Sequence, residues 1–319
     1  MHTPRSRPLV VAPLLSLLAL AACGDDGGST GAGGAGGSSD EGGAASTGTS
    51  AAGGSGTGGG APIDAKGYGS IGVYSHAYTA SGMPILVSGA YAAYTAPMEG
   101  VGYADCTSKQ EGDCALYDCV PTGVTPPPPQ YLDAGTISFE GALRPITLQP
   151  QPGTQYTSES SSTAALFAGG ETITAKIAGA GDLPAHEATL TAPAAVALVS
   201  PDLDEPVTID RNGPLALAWS GGGAGRVRVA VAVTFLEGSD IKRTANLTCS
   251  FPASAGAGTV PASLLGAMPA TTPTDYGSIS DDVTSETSVV AGDYVTGFYA
   301  TAMATAPMGG QAATQAFVF

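Results

Sequence analysis

The decapeptide Arg226-Val227-Arg228-Val229-Ala230-Val231-Ala232-Val233-Thr234-Phe235 decides the fold class. Its large apolar residues fall on every second position, with arginine, alanine and threonine between them. A period of two places the valines on one face of an extended strand, whereas a helical period would scatter them around a cylinder. Just upstream, Leu215, Leu217 and Trp219 alternate with alanines, and a Gly-rich segment from Gly221 to Gly225 follows. This order predicts a hairpin of Leu215–Ser220 with Arg226–Phe235.

Working outward, the same period marks Ile71 with Val73, Ile137 with Phe139, and Ile173 with Ile177. Further strands are expected over 242–251, 293–305 and 315–319. Helical spacing is nearly lacking, and its best candidate is the short Ala262–Met268 after Pro261. The chain therefore reads as all-β, with antiparallel β-sandwich architecture. A boundary is expected near Pro193, separating a β domain over 62–192, with a Cys-containing hairpin, from a second β-sandwich over 193–319. A single Trp in the second of about seven strands is similar to immunoglobulin and fibronectin-III topology, where an indole fills the space between sheets.

Composition narrows the function classes. The 319 residues include 47 Gly and 24 Pro, only 12% are charged, and acidic residues outnumber basic ones 27 to 11. A nucleic-acid binder needs a basic footprint to neutralise phosphates, so that class is excluded. Coiled coils and helix bundles need far more Glu, Lys and Leu. Aromatic residues at 6% are too few for the girdles of a membrane β-barrel.

At the N-terminus Arg5 and Arg7 precede an apolar run from Leu9 to Ala22, which ends Leu20-Ala21-Ala22-Cys23. About fourteen apolar-dominated residues suit a signal-peptide core and fall short of the ~20 needed to span a membrane. The Leu-Ala-Ala-Cys ending resembles the bacterial lipobox. The resemblance implies a signal peptide over 1–22 and a diacylated, N-acylated Cys23. Removing Arg5 and Arg7 from the eleven basic residues leaves nine against 27 acidic ones, a net −18. Anionic lipid would repel such a chain, so membrane attachment must come from its acyl chains. Gly24 rather than Asp follows the cysteine, which points towards the outer membrane.

Residues 23–61 are mostly Gly, Ala, Ser and Thr and offer no side chains for a core. Ordering them would cost backbone entropy with nothing to offset it, so this segment is expected to be a disordered linker. Its root-mean-square reach is roughly 30–37 Å.

Setting Cys23 aside, Cys106, Cys114, Cys119 and Cys249 are an even set in an exported chain, which implies two disulfides. If the stretch from Cys114 to Cys119 is a strand, their Cα atoms lie ~16 Å apart and cannot be bridged. Cys106 and Cys114 flank seven residues that read as a hairpin loop. The expected pairing is thus Cys106–Cys114 with Cys119–Cys249. Zinc is the alternative for this cluster, though no His lies nearby.

Chemistry-bearing motifs are sparse. Gly67-Tyr68-Gly69-Ser70-Ile71-Gly72 matches the dinucleotide-binding glycine pattern, but it leads into a strand rather than a helix. His76 and His186 stand outside any catalytic motif, and no G-x-S-x-G elbow occurs. Asp202, Asp204, Glu205 and Asp210, and further on Asp281, Asp282 and Glu286, read as loop carboxylates. Asp202, Asp204, Glu205, Asp281 and Asp282 are weak calcium candidates against the simpler reading of solvated charge. Seven of the twelve tyrosines fall between Tyr68 and Tyr117. Tyr74, Tyr78, Tyr91 and Tyr94 are the binding candidates, because exposed tyrosines stack on sugars or anchor protein partners. Their simpler role is that of half-buried strand residues.

Cys106-x7-Cys114-x4-Cys119, Asp133–Ile137, Leu166–Gly170, Leu183–His186, Ala218–Gly222, Thr248–Phe251 and Gly258–Pro261 form one ordered series over Tyr68–Phe319. The series resembles the Gly/Ser-linkered lipoproteins of myxobacteria and their relatives. The resemblance implies a β fold and an envelope location, and brings no known activity. His186 stands where that pattern has an aromatic. These readings converge on a lipid-anchored envelope protein that acts by binding or structure, without catalysis and without a cofactor. Its expected partners are the membrane, through the anchor, and an envelope protein or glycan. The alternatives are a carboxylate-based secreted hydrolase and a calcium-binding adhesion module.

Overall fold

The valines of 226–235 build the middle of a large sheet. We describe the protein from a computed structural model covering residues 65–303 and 314–318, apart from 81–82, 98–103, 126, 154, 158, 204–205, 239 and 273–274. These residues all belong to one compact unit, Gly58–Phe319. Cys23 and the 23–61 linker lie outside them.

Strand β13 (Arg226–Glu237) has β14 (Asp240–Pro252) on one side and β16 (Tyr276–Ala291) on the other, both antiparallel. Beyond β14 the sheet continues through β4 (Cys114–Pro121) to an exposed edge strand, β3 (Ala104–Glu111). Beyond β16 it continues through β17 (Tyr294–Met303), β1 (Gly67–Ala80) and β2 (Met83–Thr95) to the short β7 (Glu159–Ser161). β18 (Thr314–Val318) also pairs with β16, at Ser278 and Ile279, and with β11 (Val207–Ile209). Two smaller sheets accompany this one. One comprises β10 (Ala197–Ser200), β12 (Leu215–Ser220) and β15 (Ala257–Val260). The other comprises β6 (Ile146–Leu148), β5 (Ile137–Glu140), β8 (Thr172–Ile177) and β9 (His186–Thr191). The described ladders are antiparallel except β1–β17 and β11–β18. An essentially all-β, sandwich-like architecture is the result.

Alternation decides what each strand buries. Val227, Val229, Val231 and Val233 are buried, while Arg228, Ala230, Ala232 and Thr234 turn to the other face. Each buried valine contributes roughly 1.5–3 kcal/mol of transfer free energy. They meet Leu217, Trp219 and Val260 of the three-stranded sheet, and Leu264 and Leu265 of the single-turn helix α1 (Ala262–Leu265). Trp219 donates its indole N–H to the Ala253 carbonyl at 2.8 Å and stacks on Phe251. A second core lies between the four-stranded sheet and Ile71, Val73, Tyr94 and Phe298 of the large sheet. The four-stranded sheet ends along the chain at Thr191 of β9 and the three-stranded sheet starts at Ala197 of β10, so residue 193 lies between the two smaller sheets. The large sheet draws on both sides of that point. Cys114 and Leu116 join the core of the later residues, and Phe298 joins that of the earlier ones.

Three expectations are corrected. β12 does not pair with β13. The Gly221–Gly225 segment carries the chain from one sheet to another, with Gly221 and Gly225 at φ +94, where a side chain would be strained. Alternation specifies a strand's buried face but not its neighbour. The disulfides are Cys106–Cys119 and Cys114–Cys249. The residues read as a hairpin loop are mostly strand, and the turn shrinks to Gly112 and Asp113, with Gly112 at φ +55. Cys106 then faces Cys119 across the hairpin, while Cys114 faces Cys249 on β14. Asp281, Asp282 and Glu286 are not on a loop either, since all three lie within β16. Asp is disfavoured in strands, which hid the alternation of Ile279, Asp281 and Val283.

Candidate functional site

The face of the large sheet turned away from the two cores carries Tyr74 and His76 on β1, Tyr91 on β2 and Tyr299 on β17. Their strands are adjacent, and the register sets Tyr299 opposite Gly72, which in turn faces Tyr91. A methyl group at Gly72 would collide with the Tyr91 ring, one at Gly89 with the Glu159 carbonyl oxygen and the Tyr74 hydroxyl, and one at Gly297 with Tyr299. The rings therefore lie down over bare backbone rather than standing on the sheet. Tyr91 remains 47% exposed. Tyr74 and His76 have ring centroids 5.4 Å apart.

Charge is fixed beside these rings. Arg228 of β13 grips Asp282 of β16 with Nη2 at 2.7 Å and Nε at 3.2 Å, and Thr284 donates its hydroxyl to the other carboxylate oxygen. Burial lowers the pKa of His76, and the nearby Asp282 carboxylate opposes that shift only in part. Burial also raises Tyr74, Tyr91 and Tyr299, so all three phenols stay neutral at physiological pH. The result is a neutral aromatic surface flanked by a locked ion pair.

Of the tyrosines singled out from sequence, Tyr74 and Tyr91 belong to this surface, whereas Tyr94 does not. It is fully buried on the opposite side of β2, its ring over Gly69 and its hydroxyl 3.1 Å from Thr296 Oγ1. Burial pushes its pKa well above the usual phenol range. Tyr78 belongs to β1, but its side chain is outside the described residues. Tyr299 and Arg228 were missed as site residues, while Asp282 and Glu286 were singled out as loop carboxylates, Asp282 as a calcium candidate, and not as neighbours of the tyrosines. Only the alternation of 294–303 hints that Tyr299 faces outward. The glycine pattern at 67–72 has a steric role, with Gly69 under Tyr94 and Gly72 under Tyr91.

Asp281 and Asp282 point to opposite faces of β16 and cannot converge on one ion. Asp202 is exposed, and Asp204 and Glu205 lie outside the described residues. Among the described residues no group of His, Cys, Asp or Glu is disposed to hold a metal ion. Asp281 is 3% exposed within apolar surroundings, and burial pushes its carboxyl up to about 7, with Asp282 adding to the shift.

His186 Nε2 lies 2.9 Å from Thr296 Oγ1, a geometry that nucleophile–base pairs also use. Thr296 is fully buried and capped by Tyr94, so the arrangement ties two sheets together. A groove of about 290 Å³ lies between Tyr131, Pro150, Pro152 and Tyr156. Tyr156 is committed structurally, accepting from the Ala134 N–H at 2.7 Å and donating to the Gly135 carbonyl at 2.9 Å.

The chain matches no family model, curated protein or solved structure.

Proposed function

We propose that this chain is a lipid-anchored protein of the cell envelope that works by binding. In this reading Cys23 carries the acyl chains, residues 23–61 are a slack linker, and the tyrosine face of the large sheet meets the ligand without catalysing its conversion. The outer membrane is the proposed location, from Gly24 after the lipidated cysteine. The immunoglobulin-like reading of 193–319 draws support from Trp219, buried against Phe251 between facing sheets.

One observation carries the binding role. Tyr74, Tyr91 and Tyr299 share an outward face, each lying where glycine has removed the side chain beneath it. Flat aromatic surface costs little conformational entropy to present and gives a ligand broad contact. Cosedimentation of a Cys23→Ser form with isolated envelope polysaccharide tests it. The triple variant Tyr74→Ala, Tyr91→Ala, Tyr299→Ala is expected to lose binding while unfolding at nearly the same temperature. Equal binding by the triple variant would remove the tyrosine face from the mechanism. Mass spectrometry of the native N-terminus tests the anchor, with acylated Cys23 expected.

A further inference from the structure

Glu286 is exposed on β16 and has no ion-pair partner among the described residues. Both arginines on that face are engaged, Arg226 with Asp113 and Arg228 with Asp282. Glu286 faces Tyr299 directly across the β16–β17 ladder, and the next positions in the row are Gly72 and Tyr91. Neighbouring strands are about 5 Å apart, so the row spans roughly 15 Å from the Glu286 backbone to that of Tyr91, whose ring lies back over Gly72. It presents a carboxylate, then the Tyr299 ring over Gly297, then the Tyr91 ring over Gly72.

We propose that this row binds a glycan carrying a protonated amino group. The sugar's C–H face rests on Tyr91 and Tyr299, and its ammonium lies against Glu286. The proposal depends on the tyrosine face being the binding surface and adds the ligand's chemistry. Charge supports a cation, because the chain carries a net −16 and Glu286, the charged residue of the row, is negative and exposed. An ammonium also gains from the electron-rich ring faces beside it. A sugar fits better than a basic peptide. The Tyr91 and Tyr299 rings lie over Gly72 and Gly297, so they offer broad flat faces of the kind a sugar ring stacks on. Thr301 and Ser288 flank the row and offer hydroxyls to those of a sugar.

Calorimetric titration of the full chain in detergent tests this, using chitosan oligosaccharides and their N-acetylated counterparts at mildly acidic pH and low salt. The free-amine sugar is expected to bind more tightly, with a preference that fades as salt rises. Glu286→Gln should erase that preference, weakening the amine sugar about threefold. Tyr91→Ala and Tyr299→Ala should weaken both sugars ~5-fold, and circular dichroism would verify that they fold. Equal binding of both sugars, unchanged by Glu286→Gln, would overturn the ammonium contact and leave the tyrosine face standing. If neither sugar binds but polylysine does, and the tyrosine variants weaken it, the ligand is a basic peptide and the glycan proposal is wrong. Indifference of every probe to the tyrosine variants would sink the proposal and the tyrosine face with it.

Discussion

His186 Nε2 and Thr296 Oγ1 are joined at 2.9 Å by a hydrogen bond between the four-stranded sheet and the large sheet. The other imidazole nitrogen, Nδ1, lies 3.0 Å from the Pro184 carbonyl, which can only accept, so the ring proton sits there. Nε2 then accepts from the threonine, whose oxygen in turn receives the Tyr94 hydroxyl. His186→Ala would remove one of the two hydrogen-bond partners of the fully buried Thr296, leaving it only Tyr94. A loss of about 1 kcal/mol is expected, measured by urea denaturation.

Gly69 and Gly72 lie beneath tyrosine rings on opposite faces of one strand, and they should respond differently to substitution. Gly69→Ala pushes against the immobile, buried Tyr94 and is expected to cost about 1–3 kcal/mol. Gly72→Ala pushes against the exposed Tyr91, which can swing into solvent. Its expected stability cost is below that of Gly69→Ala, while ligand affinity falls. Paired denaturation and binding measurements on the two variants check this.

Asp281 makes stability depend on pH. Its folded pKa of about 7 lies above the ordinary carboxylate value near 3.9. Between those values the folded chain holds a proton that the unfolded chain has released. Stability is therefore greatest in acid with respect to this group. It declines as pH rises from about 4 to about 7 and levels off above, by at most ~4 kcal/mol in all. Asp281→Asn should remove this slope, giving a variant that is more stable than the parent at pH 8 and similar to it near pH 4. Denaturation midpoints across that range provide the measurement.

The two disulfides should be distinguishable by reductant. Cys106 is exposed and Cys119 half-buried, whereas Cys114 and Cys249 are both buried. Mild reduction with alkylation and peptide mapping should label Cys106 and Cys119 first. The bridges close loops of very different length, with sequence separations of 13 and 135. In the chain-entropy account these are worth about 3 and about 5 kcal/mol, so Cys249→Ser with Cys114→Ser should destabilise more than the other pair of serines.

Much of the fold was legible because strands record their environment locally. The valines of β13, the Leu217–Trp219 pair and the apolar positions of β5 and β8 each declared a buried face. β16 escaped because its core position 281 holds an aspartate, and local pattern gives no reason for a carboxyl to face inward. The tyrosine excess around residues 68–117 pointed towards the site but could not separate Tyr91 from Tyr94. Three positions put them on opposite faces, and nothing in the sequence says which face is covered.

Taken by itself, the sequence determined that this chain forms β-strands, which side chains share a face, and that the four cysteines after Cys23 form an even set for pairing. These are properties of neighbours along the chain, set by the two-residue period and by composition. Tertiary structure alone decided that β12 and β13 lie in different sheets, that Cys114 bonds Cys249, and that Tyr299 and Glu286 join Tyr91 in one row. Those partnerships connect residues far apart in the chain. They are fixed by which apolar faces can be buried together, a choice no single stretch of sequence makes.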